Sequence, residues 1–450
     1  MSMKLFVLSI LLHLKFSTSL TAPRKPSVPS LPAQALGSTC LQAHKDNRSC
    51  PIQVRDISFT LIPDNEKNTL YQKRKKVQYP ENHHVAFDYQ YNELVVPSST
   101  STKCTNNTKI VLLVQPIGVG IGRWYYDRLL HEFQEFPSEG EESDHDINMI
   151  FLAPDLLGCG TACNPRLISN DDGDSKTMKA LPLITVENWS DQLIHLMRNY
   201  EKSSKSATTD ASNNIEWCIV SNGGCVPIAL EIAQRYVKDK SIFRGTLTNL
   251  ILSATPGITS LNKPKDGEKI RKSYRTLSGI AGNVFWWYAL RNDGAFIQNF
   301  SVKNLAARAE NLGDEWRPQC VRTAKAFGGK SRFSTFAFLA GSLNGGNVER
   351  FETLKDHNEI KIDVITGGDT RRNPAKSWFW EQRKRNSGAE EKQGIEKDGH
   401  ESKELTSLVS YLKDSGRRVN EIVVGGRRCP AHEDSKGCSK AIIDILQTPS

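Results

Sequence analysis

The chain has 450 residues, 38% of them hydrophobic, and 59 Lys and Arg against 50 Asp and Glu give it a formal charge of +9. That is enough apolar material for one large domain with insertions or for two ordinary ones. The charge does not point to a polyanion partner. Basic runs such as Arg371-Arg372 and Arg383-Lys384-Arg385 sit among acids and read as solvated surface, and no RNA- or DNA-binding motif accompanies them.

The first residues do not read as part of a fold. A short basic start, Met1-Ser2-Met3-Lys4, leads into an apolar run over 5–14 and then Ser17-Thr18-Ser19. The run is shorter than the roughly 20 residues a membrane-spanning helix takes, so residues 1–19 are expected to be a signal peptide. Residues 20–45 hold no acid but do hold Arg24, Lys25, serines and prolines. Such a stretch behaves as a disordered transit segment, which extends the expected leader to residue 52. Signal plus transit resembles the bipartite leader of proteins sent to secondary plastids, with Ser19-Leu20-Thr21-Ala22-Pro23 at the junction. Plain secretion is the competing destination, helped by glycosylation sequons at Asn47, Asn106, Asn188 and Asn299.

Beyond the leader, Ile57-Ser58-Phe59-Thr60-Leu61 and Val85-Ala86-Phe87-Asp88-Tyr89 alternate as early antiparallel strands do. Six short, almost wholly apolar runs follow, at 110–114, 149–152, 217–220, 250–252, 362–365 and 422–424; Asp363 is the one charged residue among them. Runs of this kind, separated by helical patterns, suit the buried strands of a mostly parallel sheet flanked by helices. Residues 137–146 and 388–402 read as charged surface insertions, 201–214 as a mobile one, and 405–413 as a helix before the last strand. Residues 258–357, helical in pattern and carrying Phe285-Trp286-Trp287-Tyr288, Phe296, Phe300, Trp316, Phe336 and Phe338, read as a cap inserted between core segments 53–257 and 358–450. Plain packing is the default role of those aromatics; lining for an apolar or amphiphilic ligand is the alternative. The ten cysteines lack zinc spacing. Cys159 with Cys163 and Cys429 with Cys438 are expected to be buried thiols, a disulfide being the other option. No metal, cofactor or further membrane span is expected, and the oligomeric state stays open.

Five segments, in order, resemble the α/β-hydrolase superfamily. Leu112-Leu113-Val114-Gln115-Pro116-Ile117-Gly118-Val119-Gly120 resembles its strand and oxyanion turn, and Ala153-Pro154-Asp155-Leu156-Leu157-Gly158-Cys159-Gly160 the next strand and turn. Residues 217–233 resemble the nucleophile strand, elbow and helix. Residues 363–369 resemble the strand delivering the triad acid, and 423–446 the final strand, His loop and last helix. The cap phrases 299–305 and 331–341 are similar to an uncharacterised branch from cyanobacteria and plastid-bearing organisms. The resemblance implies an α/β-hydrolase fold with a helical cap.

It also implies where the machinery should sit. Counting back from Ala229-Leu230 puts Gly223 at the nucleophile position, flanked by the small Ser221 and Cys225 that the tight elbow needs. Glycine cannot attack a carbonyl. Ser221 or Cys225 could act instead, at the expense of Ile219 in a tight position or of a shifted turn. The His position falls on Arg428, which cannot accept a proton. His432 could replace it only by rearranging its loop, and a lone loop histidine is by default an ordinary surface residue. Asp369 keeps the acid position, where it could pair with Arg428. The oxyanion donors would be the N–H groups of Ile117 and Gly224. The expectation is a non-catalytic protein, with an ester or thioester hydrolase using Cys225 or Ser221, His432 and Asp369 as the alternative.

Overall fold

The computed structural model describes residues 51–61, 70–72, 75–77, 83–97, 107–135, 148–169, 175–177, 182–205, 214–256, 266–369 and 408–448. Residues 1–50 of the expected leader, the charged insertions 137–146 and 388–402, the basic runs at 371–372 and 383–385 and two of the sequons, Asn47 and Asn106, lie outside them.

The described strands are β1 (Gln53–Leu61), β2 (Leu70–Gln72), β3 (Lys75–Val77), β4 (His83–Val96), β5 (Asn107–Val114), β6 (Asn148–Pro154), β7 (Arg166–Ser169), β8 (Ser175–Thr177), β9 (Asn214–Asn222), β10 (Thr246–Ser253), β11 (Lys361–Gly367) and β12 (Val419–Val424). All but β2 and β3, which form a separate hairpin, join one sheet of order β12-β11-β10-β9-β5-β6-β4-β7-β8, with β1 on β4. Neighbours from β6 through β12 run parallel. β4 is antiparallel to β1, β6 and β7. All eight strands expected from the apolar runs and alternating segments are therefore present, in a mostly parallel sheet. The central runs are buried along their length, as strands covered on both faces must be. The two small hairpins, β2-β3 and β7-β8, have no sequence signal of their own.

Helices α1 (Asp127–Glu135), α2 (Val186–Lys205) and α3 (Val226–Lys238) connect the strands. α3 opens with Pro227 in its first turn, where a missing N–H costs nothing. α2 corrects the expected mobile insertion 201–214 over residues 201–205; residues 206–213 lie outside the described ones. Trp189, Leu193, Leu196, Met197 and Tyr200 recur along one buried face, and the helix continues to Lys205. Glu201 is buried, and its carboxylate accepts the Trp217 indole N–H and the Gly245 N–H at 2.8 Å each, and the Arg244 N–H at 2.8 Å. Asn188 is also buried, its Oδ1 accepting the Thr185 N–H, which removes it as a glycosylation site.

Six helices follow between β10 and β11: α4 (Gly267–Leu277), α5 (Ile280–Leu290), α6 (Ala295–Asn304), α7 (Trp316–Gly329), α8 (Arg332–Ala340) and α9 (Asn347–Leu354). They are the expected helical cap. α9 is joined to α3 by Arg350 Nε donating to Glu231 at 2.7 Å and Gln234 donating to Thr353. Helix α10 spans the described 408–414. Arg417, just after it, gives its guanidinium to the carbonyls of Leu354, His357 and Ile360 at the end of α9. The chain closes with the short helix α11 (Pro430–Glu433) and α12 (Ser435–Gln447). Cys159, Cys163, Cys218, Cys225, Cys320, Cys429 and Cys438 are buried free thiols.

Candidate functional site

The turn after β9 carries the site. Gly223 has φ +56°, and Gly223–Cys225 form a single tight turn that runs into α3. A side chain at such a φ is strained by roughly 1–2 kcal/mol, which glycine avoids. A Cβ built on Gly223 would meet only the Ala254 carbonyl, at 4.0 Å. The apex therefore has room for a side chain and carries none. Gly224, next in line, is pressed by the cap: a Cβ there would lie 2.7 Å from the Phe338 ring.

The two flanking candidates point to no reactive group. Ser221 is fully buried, and its hydroxyl has no hydrogen-bond partner in the protein. Cys225 is fully buried too. Burial pushes its thiol well up, the nearby Cys159 adds to this, and the N–H of Ile117 opposes it. Ile117, expected to offer its N–H to an oxyanion, thus has it against a neutral thiol. Burial likewise pushes the Cys159 thiol up to about 12, and its Sγ donates to Ser334 Oγ at 3.3 Å.

The cap sits directly on the turns that should surround a substrate. Thr335 donates to the Gly118 carbonyl at 3.1 Å, and Ser334 to the Gly158 carbonyl at 2.8 Å. Gly120, at φ +74°, lets the Cys320 carbonyl come so close that a Cβ would lie 1.9 Å from it. The second turn is organised by Asp155, whose buried carboxylate accepts from the Arg123 N–H, the Arg123 guanidinium, and the Thr161 N–H and hydroxyl. Arg123 also donates to Asn92, which donates to Asp127. Burial pushes the Asp127 carboxyl up to about 7, against the pull of Arg123. This network joins residues far apart in the chain and has no sequence motif.

The residues expected at the acid and base positions lie in the loops after β11 and β12, which are bonded to each other. The Asp369 N–H donates to the Gly426 carbonyl, and Asp369 Oδ2 accepts the Gly426 N–H at 3.2 Å. Arg428 gives its backbone N–H to Leu305. Glu433 accepts the N–H groups of Ala307 (2.6 Å), Arg427 (2.8 Å) and Cys429 (3.4 Å), while Asp434 accepts those of Gly425 and Gly437.

His432 is not the surface residue expected of it. It is 2% exposed and packs among Trp316, Tyr125 and Trp124, with ring centroids 4.7, 6.1 and 6.2 Å away. The aromatic rings around it explain the difference: the short α11 lies against them, so the imidazole is buried. Its Nε2 donates to the Leu312 carbonyl at 3.0 Å, since a carbonyl can only accept. Burial lowers its pKa to about 4. Arg128 spans the His432, Asn311 and Leu312 carbonyls and Glu315, clasping this region to the cap. Among the described residues, the hydrogen-bond and ring partners of His432 include none of Ser221, Gly223, Cys225 and Asp369.

No family model matches the chain, and no curated protein matches it at a significant level. Among solved structures it is similar to the peroxisomal α/β-hydrolase Lpx1 from Saccharomyces cerevisiae, at 12% identity over 90% of this chain and 92% of that one, with a TM-score of 0.49. It is also similar to an esterase from Thermogutta terrifontis (12% identity, 80% and 94% covered, TM-score 0.43). A third is a proline iminopeptidase from Mycobacterium smegmatis (12% identity, 80% and 94% covered, TM-score 0.42). At these values nothing of their activities transfers. The fold rests on the molecule's own topology, namely its strand order, its antiparallel β4, the tight turn after β9 and the helical insertion after β10.

Proposed function

From the premise that the chain has an α/β-hydrolase fold, we propose that it is non-catalytic and holds an apolar or amphiphilic ligand beneath its aromatic cap. One observation carries the first half: the apex of the elbow is Gly223, at φ +56° with room beside it and no nucleophile. The neutral, buried Cys225 and the position of His432 within an aromatic cluster support the same reading, because a thiol or hydroxyl needs a base in contact with it. The ligand half is supported by polar groups that lack partners. Gln115 is fully buried with no polar partner but the neighbouring Cys159 thiol, and Ser221 Oγ and Thr255 Oγ1, at the ends of the neighbouring β9 and β10, have no partner. Buried polar atoms are normally satisfied, so an amphiphile's polar end fits there.

The purified chain, treated with a fluorophosphonate and with iodoacetamide at neutral pH and assayed on a short-chain aryl ester, should show no labelling of Ser221 or Cys225 and no turnover. Organic extraction followed by mass spectrometry should release an amphiphile from the wild type and less of it from Gln115→Leu. Selective labelling at Cys225 or Ser221, with turnover lost on its replacement, would establish the hydrolase instead.

We further propose that residues 1–52 are a bipartite leader to a plastid. Mass spectrometry of the mature N-terminus tests this: a start near residue 20 on an exported protein would mean plain secretion.

A further inference from the structure

Exposed apolar side chains are unevenly placed on this protein. Among the described residues the large ones are Val54, Val95 and Val423, each a lone valine on a strand, and Ile280, Trp287, Phe300 and Leu339, all in the cap. Ile280, Trp287 and Phe300 are 69%, 57% and 47% exposed.

Three of these form one ridge. Ile280 and Trp287 lie seven residues apart on α5, and so on one helix face. Arg291 continues that face, with its guanidinium 5.7 Å from the Trp287 ring and 4.8 Å from the Tyr288 ring. Tyr288 meets Phe296 at 5.3 Å, and Phe296 stacks on Phe300 at 6.1 Å. Lys303 follows one turn along α6.

The composition of α5 is unusual for a helix with a free face. Ile280–Leu290 reads IAGNVFWWYAL and holds no charged residue. Asn283 is the one amide on its exposed face, and a helix this apolar is normally buried in protein or in lipid. Cations bracket it: exposed Lys269, Lys272 and Arg275 on α4 precede it, and Arg291 and Lys303 follow it. Over residues 266–304 six Lys and Arg stand against three Asp and Glu, 6 − 3 = +3, and Asp293 lies 3.6 Å from the Arg317 guanidinium.

We propose that this ridge docks the protein peripherally on an anionic lipid bilayer. Ile280, Trp287 and Phe300 enter the headgroup–acyl boundary, and the flanking cations contact the lipid phosphates. Exposed apolar and aromatic side chains with Lys and Arg before and after them in the chain suit an interfacial surface, and tryptophan favours that depth. Charge complementarity selects an anionic membrane over a neutral one. No helix among the described residues is long and apolar enough to cross a membrane, so the contact would be superficial. The proposal does not depend on the ligand reading above.

Flotation of the full chain with vesicles of phosphatidylcholine, alone or mixed with phosphatidylglycerol, is the test. The wild type should float with the mixed vesicles and much less with the neutral ones, and salt should weaken the binding. The pair Ile280→Asn with Trp287→Ser, and separately the triple Lys269→Glu, Lys272→Glu and Arg275→Glu, should each reduce binding by about tenfold or more. Val423→Asn, which removes an exposed valine elsewhere, should bind as the wild type does. Circular dichroism checks that each variant is folded. No binding to either vesicle, or equal binding by wild type and both ridge variants, overturns the proposal. So does a dimer in light scattering that dissociates on Trp287→Ser, since the ridge would then join two copies of the chain.

Discussion

The elbow after β9 and the loop after β12, where the sequence resemblance places a nucleophile and a base, are built in opposite ways. At the elbow the backbone keeps a strained conformation, and the strain is relieved by Gly223. In the loop, side chains hold the backbone still: Glu433 and Asp434 take five N–H groups between them. One region carries no side chain at its apex, and the other is fastened by two carboxylates. Both arrangements limit local backbone strain, which reactive sites tolerate for the sake of chemistry.

Removing the fastenings is the strongest way to break that comparison. Glu433→Ala leaves three N–H groups without their carboxylate and should lower stability by about 3 kcal/mol, read from urea unfolding. Next in size is acid sensitivity through His432. Its folded pKa of about 4 lies below the ordinary histidine value of 6.5, so the unfolded chain binds the extra proton first. The contribution is fully present above pH 6.5 and is lost as the pH falls from there to about 4, by up to ~3 kcal/mol. His432→Phe should flatten the stability profile across that window; an unchanged profile would mean that the ring is not held neutral.

The two adjacent glycines sharpen the contrast further. Gly224→Ala drives a methyl into the Phe338 ring and should cost roughly 2 kcal/mol. Gly223→Ala meets open space and carries only the backbone strain, about 1 kcal/mol. Gly223→Ser should behave like Gly223→Ala in thermal melts and still show no ester turnover, since the added hydroxyl has no base against it. Turnover by that variant would show that only the nucleophile was missing.

The sheet was legible because its central strands are continuous apolar runs, and the cap because it is aromatic and helical in period. What escaped the sequence depends on partners distant in the chain. Glu201 sits in a run of Lys and Ser that looks like a solvated loop, and only the indole of Trp217 and the turn at Arg244–Gly245 explain why it is buried. His432 looked like a surface histidine because Trp124, Tyr125 and Trp316, which enclose it, lie more than a hundred residues earlier. Asp155 could be placed in its turn by resemblance, but its tie to Arg123 follows from the fold alone. Gly223 could be located by counting along the sequence, whereas its positive φ and the free space beside it are properties of the folded turn.

The seven buried thiols carry a consequence for the life of the chain before it is folded. Once folded, none is accessible to an oxidant, and those at Cys159, Cys218, Cys225, Cys320 and Cys429 are held protonated by their apolar surroundings. Crosslinking is therefore open chiefly to the nascent or loosened polypeptide, where thiolates form near the ordinary cysteine pKa. In an oxidising lumen folding competes in time with disulfide formation. The rate at which a thiol reagent consumes these cysteines then measures how often the native state opens.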